Sequence, residues 1–355
     1  MPINKNSLQA KINNLSIKTG VHQNILLKTF FFDAFLKRLS RSRYLDNFVF
    51  KGGFLLSTSL GINLRSTMDI DFLLRKMDLE RDNIVGIMKE VSTIEIGDRV
   101  SFEYKGIEEI RQEDEYGGYC VTLIGKLENI KETINIDIAT GDPITPSAID
   151  YQYKCLFDDE ALSFKAYNFE TILAEKLQTI LYRGIANSRS KDFYDLYIIH
   201  KLRWDDIDTK LLLEAFNNTC KYRETVFTKD ESFKIIESIK NDPQMEIRWN
   251  SYRKRNKFVG DIEFKETINV ATLIIEDIYR HQEYRFINND IEIDFPLSKT
   301  MQDLVDKAEK ADILNDYGLY MNIADAIDSQ GKKETTHHLL KESEWKKLVK
   351  RYRLL

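Results

Sequence analysis

Residues 49–74 read VFKGGFLLSTSLGINLRSTMDIDFLL, and this stretch decides how the chain folds. Its apolar start predicts a short strand that ends at Gly52-Gly53, and residues 54–60 predict a helix that ends at Gly61. A helix that begins directly after a glycine turn presents free backbone N–H groups and the positive end of its dipole, which favour phosphate. The stretch therefore predicts a phosphate-binding turn, a helix and then a second strand.

Asp69 and Asp71 lie on that second strand, in the order Asp-Ile-Asp-Phe. Side chains alternate along a strand, so both carboxylates face one side while Ile70 and Phe72 face the other. Two carboxylates this close repel each other unless cations lie between them, and Mg²⁺ held by carboxylates and substrate phosphates is usual in nucleotidyl transfer. The alternative is an exposed strand edge with two solvated acids. The glycine turn upstream favours the metal site.

A later segment, residues 133–139, alternates in the same way. Its isoleucines face one side, and Asn135 and Asp137 face the other. A third metal-binding carboxylate would have to lie on such a polar face, provided that this strand pairs beside the strand of Asp69 and Asp71. The alternative is an ordinary strand with one polar face.

The glycine pair and the Asp-x-Asp sequence, in this order, resemble the signature of polymerase-β-type nucleotidyltransferases. Residues 50–72 resemble the AbiEii/AbiGii toxin branch of that superfamily, which is found in bacterial phage-defence toxin–antitoxin pairs that act by abortive infection. Many members have a serine where this chain has Gly53, and that serine contacts the triphosphate. Ser66 or Thr67 is an alternative source of a hydroxyl, and Arg65 adds a cation.

Two later motifs fit the same resemblance. In this family the lysine of the sequence Ala-Glu-Lys-Leu, here Lys176, is implicated in triphosphate binding, whereas a lysine at such a position is ordinarily a snorkelling surface residue. Residues 189–195 match the family's last motif, Arg-x-Lys-Asp-x-x-Asp, whose first aspartate is an active-site residue. That residue is Asp192 here, and its alternative role is to support a helix N-terminus capped by Ser190.

The resemblance implies transfer of a nucleoside monophosphate from an NTP to an acceptor hydroxyl, with release of pyrophosphate. The catalytic residues that it implies are Asp69, Asp71, Asp137, Lys176 and Asp192, of which the first three would also bind two Mg²⁺ ions. The nucleotide-binding residues that it implies are Gly52, Gly53, Arg65, Ser66, Thr67, Lys176 and Asp195. Asp137 would also accept the proton of the acceptor hydroxyl, and Asp192 would position the nucleotide or Lys176.

The composition is that of an ordinary globular chain, with 355 residues, 43% hydrophobic and 31% charged. Because the net charge is -5, any contact with nucleic acid has to be local. Cys120, Cys155 and Cys220 are odd in number and scattered, which argues against a disulfide framework and fits a reducing cytoplasm. No apolar run reaches membrane-spanning length, and the first residues are too polar for a signal peptide. We therefore expect a cytoplasmic protein without membrane contact.

These observations and the resemblance predict an α/β (α+β) fold. We expect a polymerase-β-like nucleotidyltransferase core with a small mixed sheet, followed by a helical C-terminal lobe, so that the protein is bilobed. The first lobe is expected at residues 1–167 and includes the N-terminal helices. The second is expected at residues 168–355 and contributes Lys176 and the motif Arg189–Asp195 to the cleft.

The resemblance also implies a toxin that arrests growth, with a separately encoded antitoxin that need not contact it. Related toxins modify the acceptor ends of transfer RNA, so RNA is the expected acceptor. Two basic and aromatic runs, residues 251–257 and 345–353, can contact phosphates and stack on bases, although each alone is ordinarily a solvated helix face. The alternatives are a small-molecule or protein nucleotidyltransferase of the antibiotic-modifying type, and a nucleotide-binding regulator without turnover. The intact carboxylate set argues against the regulator.

Overall fold

The structure, a computed structural model, describes residues 3–110, 117–290, 295–313 and 317–352. The chain divides into two compact units, Met1–Thr272 and Leu273–Leu355. The lobe boundary predicted between residues 167 and 168 falls inside the first unit, where the last strand gives way to helices, and it stays a prediction.

The strands of the first unit are β1 Phe48–Lys51, β2 Asp69–Leu74, β3 Ser101–Ile110, β4 Gly118–Leu127, β5 Ile130–Ala139, β6 Ile149–Lys154 and β7 Ala161–Ala166. They form one mixed sheet in the order β3-β4-β5-β2-β1-β7-β6. β2 lies at the centre, antiparallel to β1 and parallel to β5. The two strands that carry the predicted acids are therefore direct neighbours, as the proposed role of Asp137 requires.

The helices of the described residues are α1 Lys5–Thr19, α2 Gln23–Ser40, α3 Gly52–Leu60, α4 Arg81–Ser92, α5 Phe169–Arg183, α6 Ser190–Arg203, α7 Thr209–Tyr222, α8 Lys229–Asn241, α9 Pro243–Arg255, α10 Phe264–Asp290, α11 Lys299–Ile313, α12 Tyr317–Thr336 and α13 Glu342–Tyr352. Those from α5 onwards all follow the last strand. The predicted α/β class, with its mixed sheet and helical C-terminal part, is thus confirmed.

One face of the sheet is apolar and is covered by helices. Phe50 of β1 and Phe72 of β2 are register partners, and their rings stack with centroids 5.3 Å apart. Phe54 of α3 packs against Phe50, and Phe32 of α2 packs against Phe54, with centroids 5.6 Å and 5.1 Å apart. Burying each of these rings stabilises the fold by roughly 1.5–3 kcal/mol. Because side chains alternate, Asp69 and Asp71 must face away from this core.

Helix α3 begins at the glycine pair itself, two residues earlier than the sequence predicts. Its N-cap is Lys51, whose side chain makes no capping hydrogen bond. The first backbone N–H groups of α3 are therefore available to other partners, and Gly53 gives its own to Asp71. The glycine turn and the helix N-terminus are one feature.

The second unit has its own small apolar core. Its buried members are Met301, Val305, Ala308, Ile327, Leu340 and Leu348. Trp345 packs against this core and so closely against Gly331 that a Cβ atom there would lie 2.1 Å from the indole Cδ1 atom. Among the described residues of the whole chain, no helix has the length and apolar character needed to cross a membrane.

Candidate active site

The glycine turn contacts Asp71 directly. Gly52 has φ +69°, and a Cβ atom placed on it would lie 2.1 Å from Asp71 Oδ2. The backbone N–H of Gly53 donates a hydrogen bond to the same carboxylate oxygen over 3.2 Å. Only glycine combines this left-handed φ with so close an approach. The turn therefore positions a carboxylate as well as presenting backbone donors to a ligand.

The three predicted acids come together on one face of the sheet. Asp71 is the register partner of Asp137 on β5, and Asp69 is the register partner of Asn135. Burial, together with the negative charges of Asp69 and Asp137, raises the pKa of Asp71 to about 6. A carboxylate with two acidic neighbours is stabilised by a cation placed among them.

These side chains fit Mg²⁺ in their chemistry, although they do not form a complete cage. Within the described ranges, no group of three or more histidine, cysteine or acidic side chains is arranged to hold a metal ion by itself. Mg²⁺ is usually bound by one or two carboxylates, with waters and substrate phosphates as the remaining ligands, so a complete protein cage is not required. The metal assignment of Asp69, Asp71 and Asp137 stays a prediction.

The loop after α3 places a threonine hydroxyl beside Gly53. The Thr67 hydroxyl donates a hydrogen bond to Asp69. A Cβ atom on Gly53 would lie 3.1 Å from Thr67 Oγ1 and 3.0 Å from Arg65 Nη2, so a serine at this position would push against the loop. Ser66 contributes its carbonyl oxygen, which accepts a hydrogen bond from Arg65.

Lys176 lies in a buried ion-pair network between helices α5 and α6. Its Nζ atom lies 2.6 Å from Asp195 Oδ2 and 3.1 Å from Asp192 Oδ1. Burial alone would lower the pKa of Lys176, but the negative charges of Asp195 and Asp192 raise it above its ordinary value. Arg189 pairs with the second oxygen of Asp192 over 2.9 Å. Lys176 is therefore charged and held, and not a snorkelling surface residue.

Arg65 joins this network to the glycine turn. Its Nε atom lies 2.7 Å from Asp195 Oδ1, and its Nη2 atom lies beside Gly53. Burial alone would raise the pKa of Asp195, but the positive charges of Arg65 and Lys176 lower it to about 2. Since Arg65 already serves Asp195 and the Ser66 carbonyl, its geometry favours a role in holding the site together.

Lys51 is a site residue that the sequence analysis missed. It is 3% exposed, and its Nζ atom lies 2.7 Å from Asp142 Oδ2 and 3.3 Å from Glu175 Oε1. The Tyr167 hydroxyl lies 3.2 Å from the same nitrogen. Lys51 directly precedes the glycine pair and is the register partner of Asp71, so its place beside the turn was the available signal.

Two more groups lie close to the acids, Cys120 without a sequence signal and Lys191 as the lysine of the Arg-x-Lys-Asp-x-x-Asp motif. Cys120 of β4 is the register partner of Asp137. Burial and a hydrogen bond to Asp137 raise the pKa of Cys120 to about 12, so this thiol stays protonated. The positive charge of Lys191, in the first turn of α6, acts against the raised pKa of Asp71, which places this lysine close to the acids.

The predicted capping of α6 by Ser190 is wrong. Ser190 is the first residue of the helix, and its N-cap is Arg189, whose side chain makes no capping hydrogen bond. Arg189 instead uses its side chain on Asp192, as described above.

One aromatic residue of each basic run, Tyr252 and Trp345, is used for packing. The Tyr252 ring of α9 lies against Tyr194, Trp249 and Phe258, and its hydroxyl is buried. Trp345 belongs to the core of the second unit. The predicted stacking of bases on these two rings is therefore not favoured. The side chains of residues 349–355 lie outside the described part of the chain.

A comparison with protein families now connects this geometry with a known group. The family model described as nucleotidyl transferase AbiEii toxin, type IV toxin–antitoxin system, matches residues 34–270, which is more than half of the chain. The chain belongs to the AbiEii family. AbiEii proteins are nucleotidyltransferases and the toxins of type IV toxin–antitoxin systems, so this protein is a nucleotidyltransferase of that toxin family.

Two solved structures are similar to this AbiEii chain. One is described as a candidate nucleotidyltransferase from H. pylori, with 17% identity and a TM-score of 0.41 over 74% of this chain and 98% of that chain. The other is JHP933 from Helicobacter pylori, with 18% identity and a TM-score of 0.40 over 75% of this chain and 96% of that chain. Among curated proteins, none matches the chain significantly.

Proposed function

We propose that this AbiEii protein transfers a nucleoside monophosphate from an NTP to the 3′ end of a transfer RNA and thereby arrests growth. The observation that carries the proposal is the pairing of Asp71 with Asp137, next to Asp69 and directly against the glycine turn. This arrangement places carboxylates beside backbone donors that suit phosphate. Backbone donors together with carboxylates that can hold a divalent cation are the groups that transfer of a phosphoryl-type group requires.

In this proposal the three acids and Lys176 divide the work. Asp69 and Asp71 hold Mg²⁺, with Asp137 completing the set; Mg²⁺ bound there supplies Lewis-acid stabilisation of the triphosphate and lowers the pKa of the acceptor hydroxyl. The acceptor oxygen attacks the α-phosphorus, and the bond from that phosphorus to the pyrophosphate oxygen breaks. Asp137 takes the hydroxyl proton, and pyrophosphate leaves.

Lys176 neutralises the triphosphate in this proposal. Its Nζ atom is shared between Asp195 and Asp192 in the structure, so an arriving phosphate can replace Asp192 while Asp195 keeps its hold. The short contact of 2.6 Å to Asp195 against 3.1 Å to Asp192 supports this order. Gly52 and Gly53 then offer the backbone donors of α3 to the other phosphate oxygens.

The biological setting belongs to the same proposal. A type IV system pairs the toxin with a separate antitoxin, and we propose that the antitoxin counteracts the toxin without needing to bind it. The toxin would act in the cytoplasm during phage defence, where transfer RNA and NTPs are abundant.

The test is a transfer assay with purified protein. The protein is incubated with each α-labelled NTP, Mg²⁺ and total cellular RNA, and we expect label in the transfer RNA fraction that disappears when the metal is chelated. A folded Asp69→Asn variant is the matched control and should transfer no label. Label found only on a small molecule or a protein would contradict the RNA proposal, and no label on any acceptor would contradict the transfer itself.

A further inference from the structure

A pair of adjoining cavities opens at the far end of β2 from the acids. Their volumes are about 330 Å³ and 380 Å³. Arg75, Lys76 and Ser147 line both of them. Two cations and a hydroxyl thus lie at the junction of the cavities.

The two cations at this junction are exposed to solvent. Within the described ranges, the side chains of Arg75 and Lys76 are exposed and make neither a hydrogen bond nor an ion pair. The acid of the second cavity, Asp142, is held by Lys51 over 2.7 Å and lies 3.6 Å from Arg223. Lys165 of the first cavity pairs with an exposed aspartate over 2.7 Å. The first cavity also has an exposed acid, Asp46, so the two cations Arg75 and Lys76 leave a single net positive charge at the junction, in a chain whose net charge is -5.

The backbone holds this junction in place. The N–H group of Arg75 donates to the Asn47 carbonyl over 2.9 Å, and the Asn47 side-chain amide donates to the Arg75 carbonyl over 3.0 Å, so the β1–β2 pairing continues one residue past the strands. Lys76 has φ +60° and is not a glycine. A lysine in this left-handed conformation costs about 1 kcal/mol relative to glycine.

The cavities lie at the end of β2, where both Leu73 and Leu74 line the second cavity. Alternation along β2 places Leu73 on the same side as Asp71, and Val49, the register partner of Leu73, lines the first cavity. Arg75 comes four residues after Asp71, which corresponds to about 13 Å along a strand. An RNA strand whose end lies at Asp71 can therefore reach this junction within its first few nucleotides.

We propose that Arg75 and Lys76 bind backbone phosphates of the RNA acceptor, an inference that rests on the proposed function. Long, exposed cations without fixed partners suit sequence-independent contacts to a phosphate chain. A site for a small anion would instead be expected to fix its cations with buried hydrogen bonds, as the Lys176 network does. The inference thus assigns an RNA-contacting surface that the basic runs 251–257 and 345–353 do not include.

The experiment measures binding of a labelled single-stranded RNA without NTP or Mg²⁺, over a range of salt concentrations. The double variant Arg75→Gln/Lys76→Asn removes both charges, and asparagine tolerates the left-handed φ at position 76. Two lost phosphate contacts should lower the slope of log affinity against log salt by roughly 1.4. The matched control, Lys18→Gln/Lys234→Gln, removes the same charge from exposed positions on α1 and α8 and should keep the wild-type slope.

Equal slopes for the double variant and the control would overturn the inference. The inference would also be overturned if inorganic phosphate, at constant ionic strength, displaced RNA from the wild type but not from the double variant, because that result identifies a small-anion site. The proposed function fails separately. If wild-type protein binds RNA through Arg75 and Lys76 but transfers no label from any NTP, the RNA surface stands and the transfer proposal falls.

Discussion

Asp71 and Asp137 are register partners on neighbouring parallel strands, so their carboxylates leave the sheet side by side on the same face. The backbone N–H of Gly53 holds Asp71 from the other direction. Burial and the two neighbouring acids raise the pKa of Asp71 to about 6, which means that the folded protein bears a cost for keeping it charged. A cation placed among these acids would reduce this cost, which supports the proposed metal site.

Replacing Asp71 or Asp137 should impair catalysis without impairing folding. Because each acid repels the other, Asp71→Asn and Asp137→Asn should leave the free energy of unfolding unchanged or slightly higher. Transfer of label from NTP should fall at least about 100-fold in each variant. Thermal unfolding and the transfer assay check the two parts, and Asp205→Asn, at an exposed position, is the control. Full transfer activity in either folded variant would remove that residue from the active site.

Gly52→Ala tests the contact between the turn and Asp71. Gly52 has φ +69° and no room for a Cβ atom, whereas Gly20 has φ +73° and no atom within 4 Å of that position. Both alanine variants should lose roughly 1–2 kcal/mol from the left-handed backbone. Only Gly52→Ala displaces the Asp71 carboxylate, so only this variant should also lose transfer activity.

Urea unfolding and the transfer assay on the two glycine variants provide the comparison. Equal activity of Gly52→Ala and Gly20→Ala would show that the turn does not control Asp71. A loss of activity in both would point to a general effect of the backbone strain.

Much of the site followed from the alternation of side chains along strands. The face of Asp69 and Asp71, and the polar face of Asp137, could be predicted because both strands have apolar residues at every second position. The sequence could not show that β5 pairs with β2, since pairing depends on the whole sheet order. The pairing of β5 with β2 was therefore a condition of the prediction for Asp137, and the two strands do pair.

The contacts of Lys51 could not be predicted because its partners are scattered in the sequence. Asp142, Tyr167 and Glu175 come from segments that are distant from Lys51 in the sequence, and only the packed fold brings them around one nitrogen atom.

Asp195→Asn should destabilise the protein strongly. Asp195 is 0% exposed and serves both Arg65 and Lys176, so its loss leaves two buried cations short of a partner. We expect a loss of about 3–5 kcal/mol in the free energy of unfolding. Asp192→Asn should cost less, because Lys176 keeps Asp195. Urea unfolding of the two variants provides the test, and equal losses would show that Asp195 is not the centre of the network.

The Asp195 carboxylate should also make the stability of the protein depend on pH in the acid range. Its pKa in the folded protein is lowered to about 2, so its contribution is complete above about pH 4 and is lost as the pH falls towards 2. The difference in unfolding free energy between wild type and Asp195→Asn should therefore shrink over this range. A difference that stays constant from pH 5 to about pH 2 would contradict the assigned pKa.

Asp33 should make the protein less stable as the pH rises from about 4 to about 7. This residue of α2 is 3% exposed and accepts hydrogen bonds from the Tyr153 hydroxyl and, over 2.9 Å, from the Leu156 N–H group. Burial raises its pKa from 3.8 to about 7, against the opposing effect of these hydrogen bonds and of Lys37. Between about pH 4 and pH 7 the folded protein therefore binds more protons than the unfolded chain, and stability falls as the pH rises.

The Asp33→Asn variant isolates this effect from the histidines, which titrate in the same range. We expect its free energy of unfolding to fall less steeply than that of wild type between about pH 4 and pH 7, with a difference on the order of 1–4 kcal/mol accumulated across the range. Asp205→Asn, at an exposed position, should follow the wild-type curve. Urea unfolding at several pH values gives the three curves. If the Asp33→Asn curve runs parallel to that of wild type, the buried carboxyl does not titrate in this range. Protonation of Asp33 is then not the cause of the pH dependence of stability.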